Sequence, residues 1–382
     1  MKTFFDRTGR RLLVGILSAL ASACVAPAAE DAIALRVAGK EFVLGRAFAD
    51  FYDTAFVLTD GGETPPHLVD IESLAENLAA YDVIFFGEKH RHPGIHLQQQ
   101  RLLRALHART TDIVLSLEQF ERDVQPVLDD YLAGRIGENN LIEKGRAWDN
   151  YRTSYRPLVQ FAKDNGLPVV AAEAPAWAVT CVGQYGLGIL QAFTPEERAY
   201  VAHDLHVTDG AYRAKYSRFL SGSSTHGGGE ADGKDGKETP ETRRRAENSY
   251  AAQVLRDDTM AESIASVLQR FPGKTIFHLN GSFHSDGFLG TVERLRVRKP
   301  EAKIAVISPV EVSDPRAPAF PKSAVAEGTV LQLVYPDPVG FVEGEDQSEW
   351  MRSVMAKRAS SRCKYSLAEP SREKRGEGET AR

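Results

Sequence analysis

Residues 81–90 read Tyr-Asp-Val-Ile-Phe-Phe-Gly-Glu-Lys-His, and this stretch decides the fold class of the chain. Its four consecutive apolar residues, Val83–Phe86, are two β-branched and two aromatic side chains, which is typical of a buried β-strand. Gly87 ends the apolar run, and the carboxylate of Glu88 and the imidazole of His90 follow it closely. In an open parallel sheet, ligands bind beyond the carboxyl ends of the strands. The stretch therefore predicts a buried strand that places Glu88 and His90 where a ligand, metal or substrate would bind.

The alternation of apolar and helical segments continues along the chain after this strand. It predicts an α/β fold, with a mostly parallel central sheet flanked by helices. The predicted strands are Val83–Phe86, Ile113–Leu117, Pro168–Ala172, Thr275–Leu279, Ile304–Ser308 and Thr329–Val334. A short hairpin is predicted at residues 34–44, and the predicted helices cover about 74–80, 94–108, 124–132 and 155–164.

One long segment, Pro195–Arg270, departs from this alternation because it contains helical pieces and no strand signal. It predicts a smaller helical subdomain within a main domain that spans residues 25–356. Residues 221–241 are mostly Gly, Ser, Asp and Lys, a composition that predicts a disordered insert. The charged segment 357–382 predicts a disordered tail.

The N-terminal sequence is typical of an exported protein. A positively charged start precedes the apolar stretch Leu12–Ala21, which is too short to span a membrane. Residues 1–23 are therefore predicted to be a signal peptide. The small residues before Cys24 favour lipoprotein processing, which would make Cys24 the lipidated first residue of a membrane-anchored protein of the bacterial cell envelope. Ordinary cleavage at Ala21–Ala23 or at Ala26–Ala28 is the alternative.

Composition excludes several other classes of protein. The formal net charge of -5 argues against a nucleic-acid-binding surface, which is normally basic. Of the three cysteines in the chain, Cys181 and Cys363 remain if Cys24 is acylated. They lie in a predicted helix and in the predicted tail, so the sequence supports neither a disulfide framework nor a cysteine-based zinc site.

Carboxylates and histidines follow four of the predicted strands. Glu88, Glu118 and Glu173 each come after one strand, and His284 lies in the loop after another. If these strands are parallel neighbours, the side chains converge on one edge of the sheet. Carboxylates that are close together and desolvated repel each other, so such a cluster calls for a bound cation, a protonated carboxyl group or a cationic partner. The alternative is a solvated edge where polar residues simply end the strands.

A hydrolase is one function that this cluster could serve. Glu88 or Glu118 would act as the general base, and His90 and His284 would be ligands of a divalent metal or proton shuttles. The helical segment offers a different chemistry, because it is rich in tyrosine and histidine. A tyrosine oxygen or a histidine nitrogen can be the axial ligand of a haem iron. The candidates for this role are His203, His206, Tyr212 and Tyr216.

Several motifs in the sequence resemble those of a known family. Gly87–His90, together with His96 and Gln100, is similar to the opening motif of the ChaN-like haem-binding uptake family. This family belongs to the Tiki superfamily, which also includes relatives of erythromycin esterase. The resemblance covers roughly residues 80–310 and continues through Glu118–Gln125, Trp148, Tyr155–Leu158, Asp258–Ala261 and His278–His284.

The resemblance implies an exported lipoprotein that binds haem and takes part in haem or iron uptake. In the mode described for the family, a tyrosine holds the haem and two haems stack between two subunits, which implies a homodimer. It therefore favours a haem-binding protein over an enzyme.

The segment after the third predicted strand departs from the family pattern. Where the family often has Asn-Ala-Pro-Arg, this chain has Glu173-Ala174-Pro175-Ala176. The change makes this edge of the sheet more acidic and unfavourable for haem propionates. If haem binds, its propionates are expected to meet other cations, or the haem lies away from this edge.

Overall fold

The computed structural model describes residues 35–59, 65–225, 239–342, 345 and 362–365. The predicted signal peptide with Cys24 lies outside the described residues, as do residues 226–238 of the predicted insert and most of the predicted tail. The ends of that insert belong to helices, since one helix runs to Thr225 and the next begins at Pro240.

Eleven strands are present in the described part of the chain. They are β1 (Leu35–Ala38), β2 (Glu41–Leu44), β3 (Thr54–Leu58), β4 (His67–Val69), β5 (Val83–Glu88), β6 (Ile113–Glu121), β7 (Val169–Glu173), β8 (Thr275–Gly281), β9 (Ile304–Glu311), β10 (Ala319–Pro321) and β11 (Val330–Val334). Eight of them form the central sheet in the order β4-β3-β11-β9-β5-β8-β6-β7. All neighbours from β11 to β7 are parallel, while β3 pairs antiparallel with both β11 and β4. A small antiparallel sheet has the order β1-β2-β10.

The predicted α/β fold is therefore confirmed, and each of the six predicted strands lies in the central sheet. The predicted hairpin is the antiparallel β1–β2 pair. The sequence did not predict β3, β4 and β10. These strands have only three to five residues each, and β3 is held in the sheet by β11, whose residues lie far away in the sequence.

Eleven α-helices accompany the strands in the described residues. They are α1 (Ile71–Leu78), α2 (Pro93–His107), α3 (Gln125–Leu132), α4 (Glu138–Lys144), α5 (Tyr151–Ser154), α6 (Arg156–Asp164), α7 (Ala176–Tyr185), α8 (Pro195–Ala199), α9 (Ala211–Thr225), α10 (Pro240–Arg270) and α11 (Thr291–Arg298). None of the helices in this part of the chain combines the length and apolarity needed to cross a bilayer.

Helices cover both faces of the sheet, which explains why β5 is apolar at consecutive positions. Ile84 and Phe86 pack on one face, in a core that includes residues of α2 and α6. Val83 and Phe85 point to the other face and pack in a core with residues of α10 and α11. All four side chains are fully buried. β5 is therefore a central strand whose end is fixed from both sides.

The segment 195–270 contains α8, α9 and α10 and no strand among its described residues. It does not form a separate unit, because α10 belongs to the layer that covers the sheet. Ile264 of this 31-residue helix packs with the core on one face of the sheet, and Leu255 packs with α7. α10 therefore joins the helical segment to the strands whose ends hold the predicted site.

Cys181 and Cys363 form a disulfide bond, which differs from the expectation drawn from the sequence. The two cysteines are 182 residues apart, so only the folded chain brings them together. The bond attaches residues 362–365 to α7. Lys364 and Tyr365 both contact the carboxylate of Glu197 on α8. Four residues of the segment predicted to be disordered are thus packed against the protein.

Candidate functional site

The four parallel strands β5, β8, β6 and β7 are neighbours in the sheet and end at the same edge. We call the charged side chains at this edge the rim, and they are Glu88, His90, Glu118, Glu173 and His284. The register between β6 and β7 becomes irregular after Leu117, at the point where Glu118 follows. The strand continues to Glu121 rather than ending at Leu117, and Glu118 still contacts the loop after β8.

Glu88 and His90 form the first imidazole–carboxylate pair of the rim. Nδ1 of His90 lies 3.0 Å from Oε1 of Glu88, and the His90 ring packs edge-on against Trp148. The side chain of Glu88 is fully buried, whereas that of His90 is 45% exposed. Burial alone would lower the pKa of His90, but the hydrogen bond to Glu88 and the charge of Glu118 raise it above the ordinary value. His90 is therefore an accessible imidazole that a buried carboxylate holds in one orientation.

The carboxylate of Glu88 is itself held by three hydrogen-bond donors. Tyr155 donates to Oε1 at 2.6 Å and Gln119 donates to the same oxygen at 3.1 Å. Gln99 of α2 donates to Oε2 at 2.7 Å. Burial, followed by the charge of Glu88, raises the pKa of Tyr155 far above its ordinary value, so its hydroxyl stays protonated and remains a donor. Because its oxygens are held by these donors, Glu88 is suited to orient His90.

His284 and Asp257 of α10 form a second pair on the other side of Glu118. Nδ1 of His284 lies 2.7 Å from Oδ1 of Asp257, and its Nε2 lies 3.6 Å from Oε1 of Glu118. The His284 side chain is only 8% exposed. Burial lowers the pKa of His284, but the charges of Asp257 and Glu118 outweigh it and raise the pKa. Between two carboxylates, His284 is therefore favoured in its protonated form.

Arg256 of α10 bridges the two remaining carboxylates of the rim. Its Nη2 lies 3.2 Å from Oε1 of Glu118 and 2.8 Å from Oε2 of Glu173. Burial raises the pKa of Glu118, but the charges of His284, His90 and Arg256 lower it overall. Burial raises the pKa of Glu173 to about 7, although Arg256 opposes this shift. Arg256 is thus the cation that the cluster of carboxylates was expected to require.

A glycine allows the two halves of the rim to approach each other. A Cβ atom on Gly281, the last residue of β8, would lie 2.8 Å from Cε1 of His90 and 3.6 Å from Oε2 of Glu118. The first distance is too short for any side chain to fit without moving the imidazole. The amide of Gly281 donates a hydrogen bond to Oε2 of Glu118 at 2.5 Å. Gly281 therefore brings His90 close to Glu118 as well as to Glu88.

Several neutral polar atoms around the rim are buried without a hydrogen-bond partner in the described part of the chain. They are Oε1 of Gln119, Oδ1 of Asn280 and Nε2 of His278. Nδ1 of His278 lies 2.9 Å from Oγ of Ser116, and burial lowers the pKa of His278 to about 3, so this imidazole is neutral. Buried polar groups normally find a partner, so these atoms indicate room for water or a small polar ligand.

The structure gives no support to a divalent metal at the rim. Within the described ranges, no group of three or more His, Cys, Asp or Glu side chains could hold a metal ion. The predicted ligands His90 and His284 each direct Nδ1 to a carboxylate, and Glu118 is occupied by Arg256 and Gly281.

The four predicted haem ligands are not equally accessible. Tyr212 is 1% exposed and donates its hydroxyl hydrogen bond to Asp257, while Tyr216 is 8% exposed with its hydroxyl 2.5 Å from Oγ of Ser249. Both pack in a small apolar cluster with Tyr250. Their hydroxyl groups are therefore occupied inside the protein.

The two histidines among these candidates are closer to the surface. His203 is largely exposed and pairs with its neighbour Asp204. His206 is about one-third exposed, and its Nδ1 lies 2.8 Å from Oδ1 of the buried Asp258. A role for any of the four in haem binding stays a prediction.

Two of the cavities formed by the described residues lie outside the rim. The larger, of about 490 Å³, runs along the outer edge of β7 and is bounded by α3, α10 and the residues that follow α8. We call it the β7-edge cavity. The smaller, of about 260 Å³, includes Tyr52, Arg91 and His96 in its lining. Only the larger falls within the range of about 300–1,000 Å³ that is usual for small-molecule sites.

A family comparison decides the family to which this protein belongs. The model of the family described as "Haem-binding uptake, Tiki superfamily, ChaN" matches residues 74–295, which is more than half of the chain. The chain belongs to this family. The resemblance noted in the sequence is thereby confirmed, and haem is the ligand for which the family is described.

One solved structure agrees with the fold. ChaN of Campylobacter jejuni, in a structure described as showing cofacial haem binding, has 16% sequence identity and a TM-score of 0.53. The match covers 74% of this chain and 98% of that chain. A mutant of the erythromycin esterase EreC in its open conformation has 12% identity and a TM-score of 0.38, covering 70% and 83% of the two chains. A comparison with curated proteins found no match.

Sequence reasoning found the charged residues that follow the strands but missed their partners on α10. Arg256 and Asp257 lie within the longest helix of the described chain, where charged residues normally face solvent. No local signal in the sequence distinguishes them from the other charges of that helix. Their role depends on how α10 crosses the ends of β6 and β7, which is a tertiary property.

Proposed function

We propose that this protein binds haem in the bacterial cell envelope and takes part in haem or iron uptake. The observation that carries the proposal is the match of the haem-binding uptake family across residues 74–295. The fold shared with ChaN supports it, as does the apolar and aromatic character of the helical segment around Tyr212 and Tyr216.

The rim is poorly suited to hold the haem itself. A haem propionate needs a cation, and Arg256 at the rim already pairs with Glu118 and Glu173. Adding a propionate would bring a third carboxylate to one guanidinium group. The departure of Glu173-Ala174-Pro175-Ala176 from the family pattern points the same way. We therefore place the haem away from the rim.

Haem titration of the purified mature protein tests the proposal. Bound haem should change the Soret absorbance until a fixed number of haems per chain is reached. A tyrosine ligand should add the charge-transfer absorbance of an iron–phenolate bond, whereas a histidine ligand should not. A haem spectrum that stays the same in the presence and absence of the protein would contradict the proposal.

Two further parts of the proposal concern assembly and location. A homodimer with haems stacked between its subunits should form, or become more stable, as haem is added. Sedimentation velocity with and without haem measures this, and a monomer in both conditions would exclude it.

The lipid anchor at Cys24 predicts a mature N-terminus that begins with an acylated cysteine. Mass spectrometry of the protein from membranes would instead find an unmodified N-terminus if ordinary cleavage occurs.

A second candidate function is a hydrolase that uses the rim without a metal. The observation that favours it is the pair of imidazole–carboxylate units, His90 with Glu88 and His284 with Asp257, on either side of Glu118. His90 would take a proton from water, and protonated His284 would donate one to the leaving group. Hydrolysis of small ester substrates by the purified protein, lost in His284→Ala and Glu88→Gln, would support this activity. Equal turnover by wild type and both variants would exclude it.

A further inference from the structure

The β7-edge cavity is lined by apolar and polar residues in equal number, and its two carboxylates, Asp129 and Glu262, accept hydrogen bonds from Gln125 and Arg122. Its lining includes Val170, Val267 and Phe271 beside Arg270 and Tyr200. These residues come from the edge strand of the sheet, from the last turns of α10 and from the end of α8. The cavity therefore offers an apolar wall, a cation and a phenol in one place.

The edge of β7 is not available to pair with another strand. The side-chain amide of Gln125 donates to the carbonyl of Val169 at 2.9 Å, and its oxygen accepts from the amide of Ala171 at 2.7 Å. One side chain thus occupies the backbone groups that an added peptide strand would need. This argues for a small molecule rather than an extended peptide as the occupant.

Tyr200 is the residue in this cavity that can bind a haem iron. Haem iron in proteins is held by histidine, cysteine, methionine or tyrosine, and Tyr200 is the one residue of these types in the lining. Tyr200 is partly exposed, and its hydroxyl makes no hydrogen bond within the described residues. The hydroxyl groups of Tyr212 and Tyr216, by contrast, are both engaged. Among these three tyrosines, Tyr200 needs the least rearrangement to become a ligand.

Arg270 supplies a cation that is not already neutralised. It is exposed and lies over the ring of Phe271, with 4.8 Å between its guanidinium carbon and the ring centroid. It forms no ion pair with any described residue. The other arginine of the cavity, Arg122, is held by Glu262 at 3.0 Å and by Ser263 at 2.7 Å. A propionate in the cavity would therefore meet Arg270.

We propose that haem binds in the β7-edge cavity, with the Tyr200 oxygen on the iron and Arg270 paired with a propionate. The proposal rests on the haem binding proposed above and assigns it a site. When Tyr200 binds ferric iron, its phenolic proton passes to solvent and the phenolate oxygen donates the electron pair of the new bond. Oxidation states do not change.

Haem titrations of wild type, Tyr200→Phe and Tyr52→Phe test the assignment. Tyr52 is a matched control, because it is an exposed tyrosine in the lining of the smaller cavity. Tyr200→Phe should lose the iron–phenolate absorbance and bind haem at least about 10-fold more weakly, because loss of even an outer partner of a metal ligand costs about 10- to 100-fold. Tyr52→Phe should behave as wild type. The Tyr200 hydroxyl makes no hydrogen bond within the described chain, so its removal should leave the thermal unfolding temperature unchanged.

A second pair of variants tests the cavity without removing any iron ligand. Ser266→Trp should fill the β7-edge cavity and weaken haem binding, and Thr153→Trp should fill the smaller cavity without effect. If wild type binds no haem, the proposed function itself fails. If wild type binds haem and both Tyr200→Phe and Ser266→Trp bind it equally well, haem binding stands and the β7-edge assignment is wrong.

Discussion

The rim and the β7-edge cavity are built from the same helix and differ in how their charges are satisfied. At the rim, Arg256 and Asp257 of α10 meet carboxylates and an imidazole from the strand ends. Further along α10, at the cavity, Arg270 lies over the ring of Phe271 and pairs with no carboxylate among the described residues. A charged cluster can therefore neutralise itself inside the fold and leave no cation for an anionic ligand. A less charged region that holds one unpaired cation is the better place for haem.

Replacing Arg256 at the rim and Arg270 at the cavity, one at a time, should give the largest difference in stability between the two regions. Arg256→Ala should lower the free energy of unfolding by about 3 kcal/mol, because Glu118 and Glu173 would remain buried without their cation. Arg270→Ala should change it by less than about 0.5 kcal/mol, since its side chain is exposed. Urea unfolding monitored by circular dichroism measures both. Similar losses of unfolding free energy in the two variants would mean that Arg256 is not needed to stabilise the buried carboxylates of the rim.

The disulfide bond should matter more to the cavity than to the rim. Cys181→Ser with Cys363→Ser should cost about 2 kcal/mol of stability. The variant releases residues 362–365, which contact Glu197 on α8, and Tyr200 directly follows that helix. Haem affinity should therefore fall in the variant under conditions where it is still folded. Unchanged haem affinity in the folded double variant would mean that this attachment does not position Tyr200.

The raised pKa of Glu173 gives the stability of the protein a dependence on pH that originates at the rim. Because burial raises its pKa to about 7, the folded protein holds a proton on Glu173 that the unfolded chain releases at lower pH. This group therefore makes the wild type less stable as pH rises from about 5 to 7, and Glu173→Gln removes that effect. The variant should gain about 1 to 2 kcal/mol relative to wild type over this interval. A constant difference between the two unfolding curves across this range would show that Glu173 keeps its ordinary pKa.

The smallest effect is expected when haem binding is measured in a variant of the rim. Glu88→Gln should change the dissociation constant of haem by less than about twofold, because Glu88 is fully buried and lies apart from the lining of the β7-edge cavity. Isothermal titration or absorbance titration measures it. A tenfold loss of affinity would place the haem at the rim and erase the distinction between the two regions.

Much of the fold and part of the rim could be predicted from the sequence for one physical reason. In a parallel sheet with both faces buried, the strands are continuous apolar runs, and polar residues such as Glu88 and Glu118 mark where the runs end. Neighbouring parallel strands end at one edge, so these residues could be expected to meet. Short strands such as β4, with three residues, carry too little pattern to be recognised.

The remaining features depend on contacts between distant parts of the chain. Arg256 and Asp257 reach the rim only because of the path of α10 over the strand ends. Cys181 and Cys363 meet only when the C-terminal segment returns to α7. Tyr200 was one of several tyrosines in the helical segment, and the cavity that distinguishes it is formed by four separate elements. None of these relations leaves a local signature in the sequence.

Anomalous X-ray scattering from crystals of the haem-loaded protein, at the iron absorption edge, tests the central claim most directly. We predict one iron peak per chain in the β7-edge cavity, at bonding distance from the Tyr200 oxygen, with no iron at the rim. An iron peak between His90 and His284, or beside Tyr212, would contradict the account.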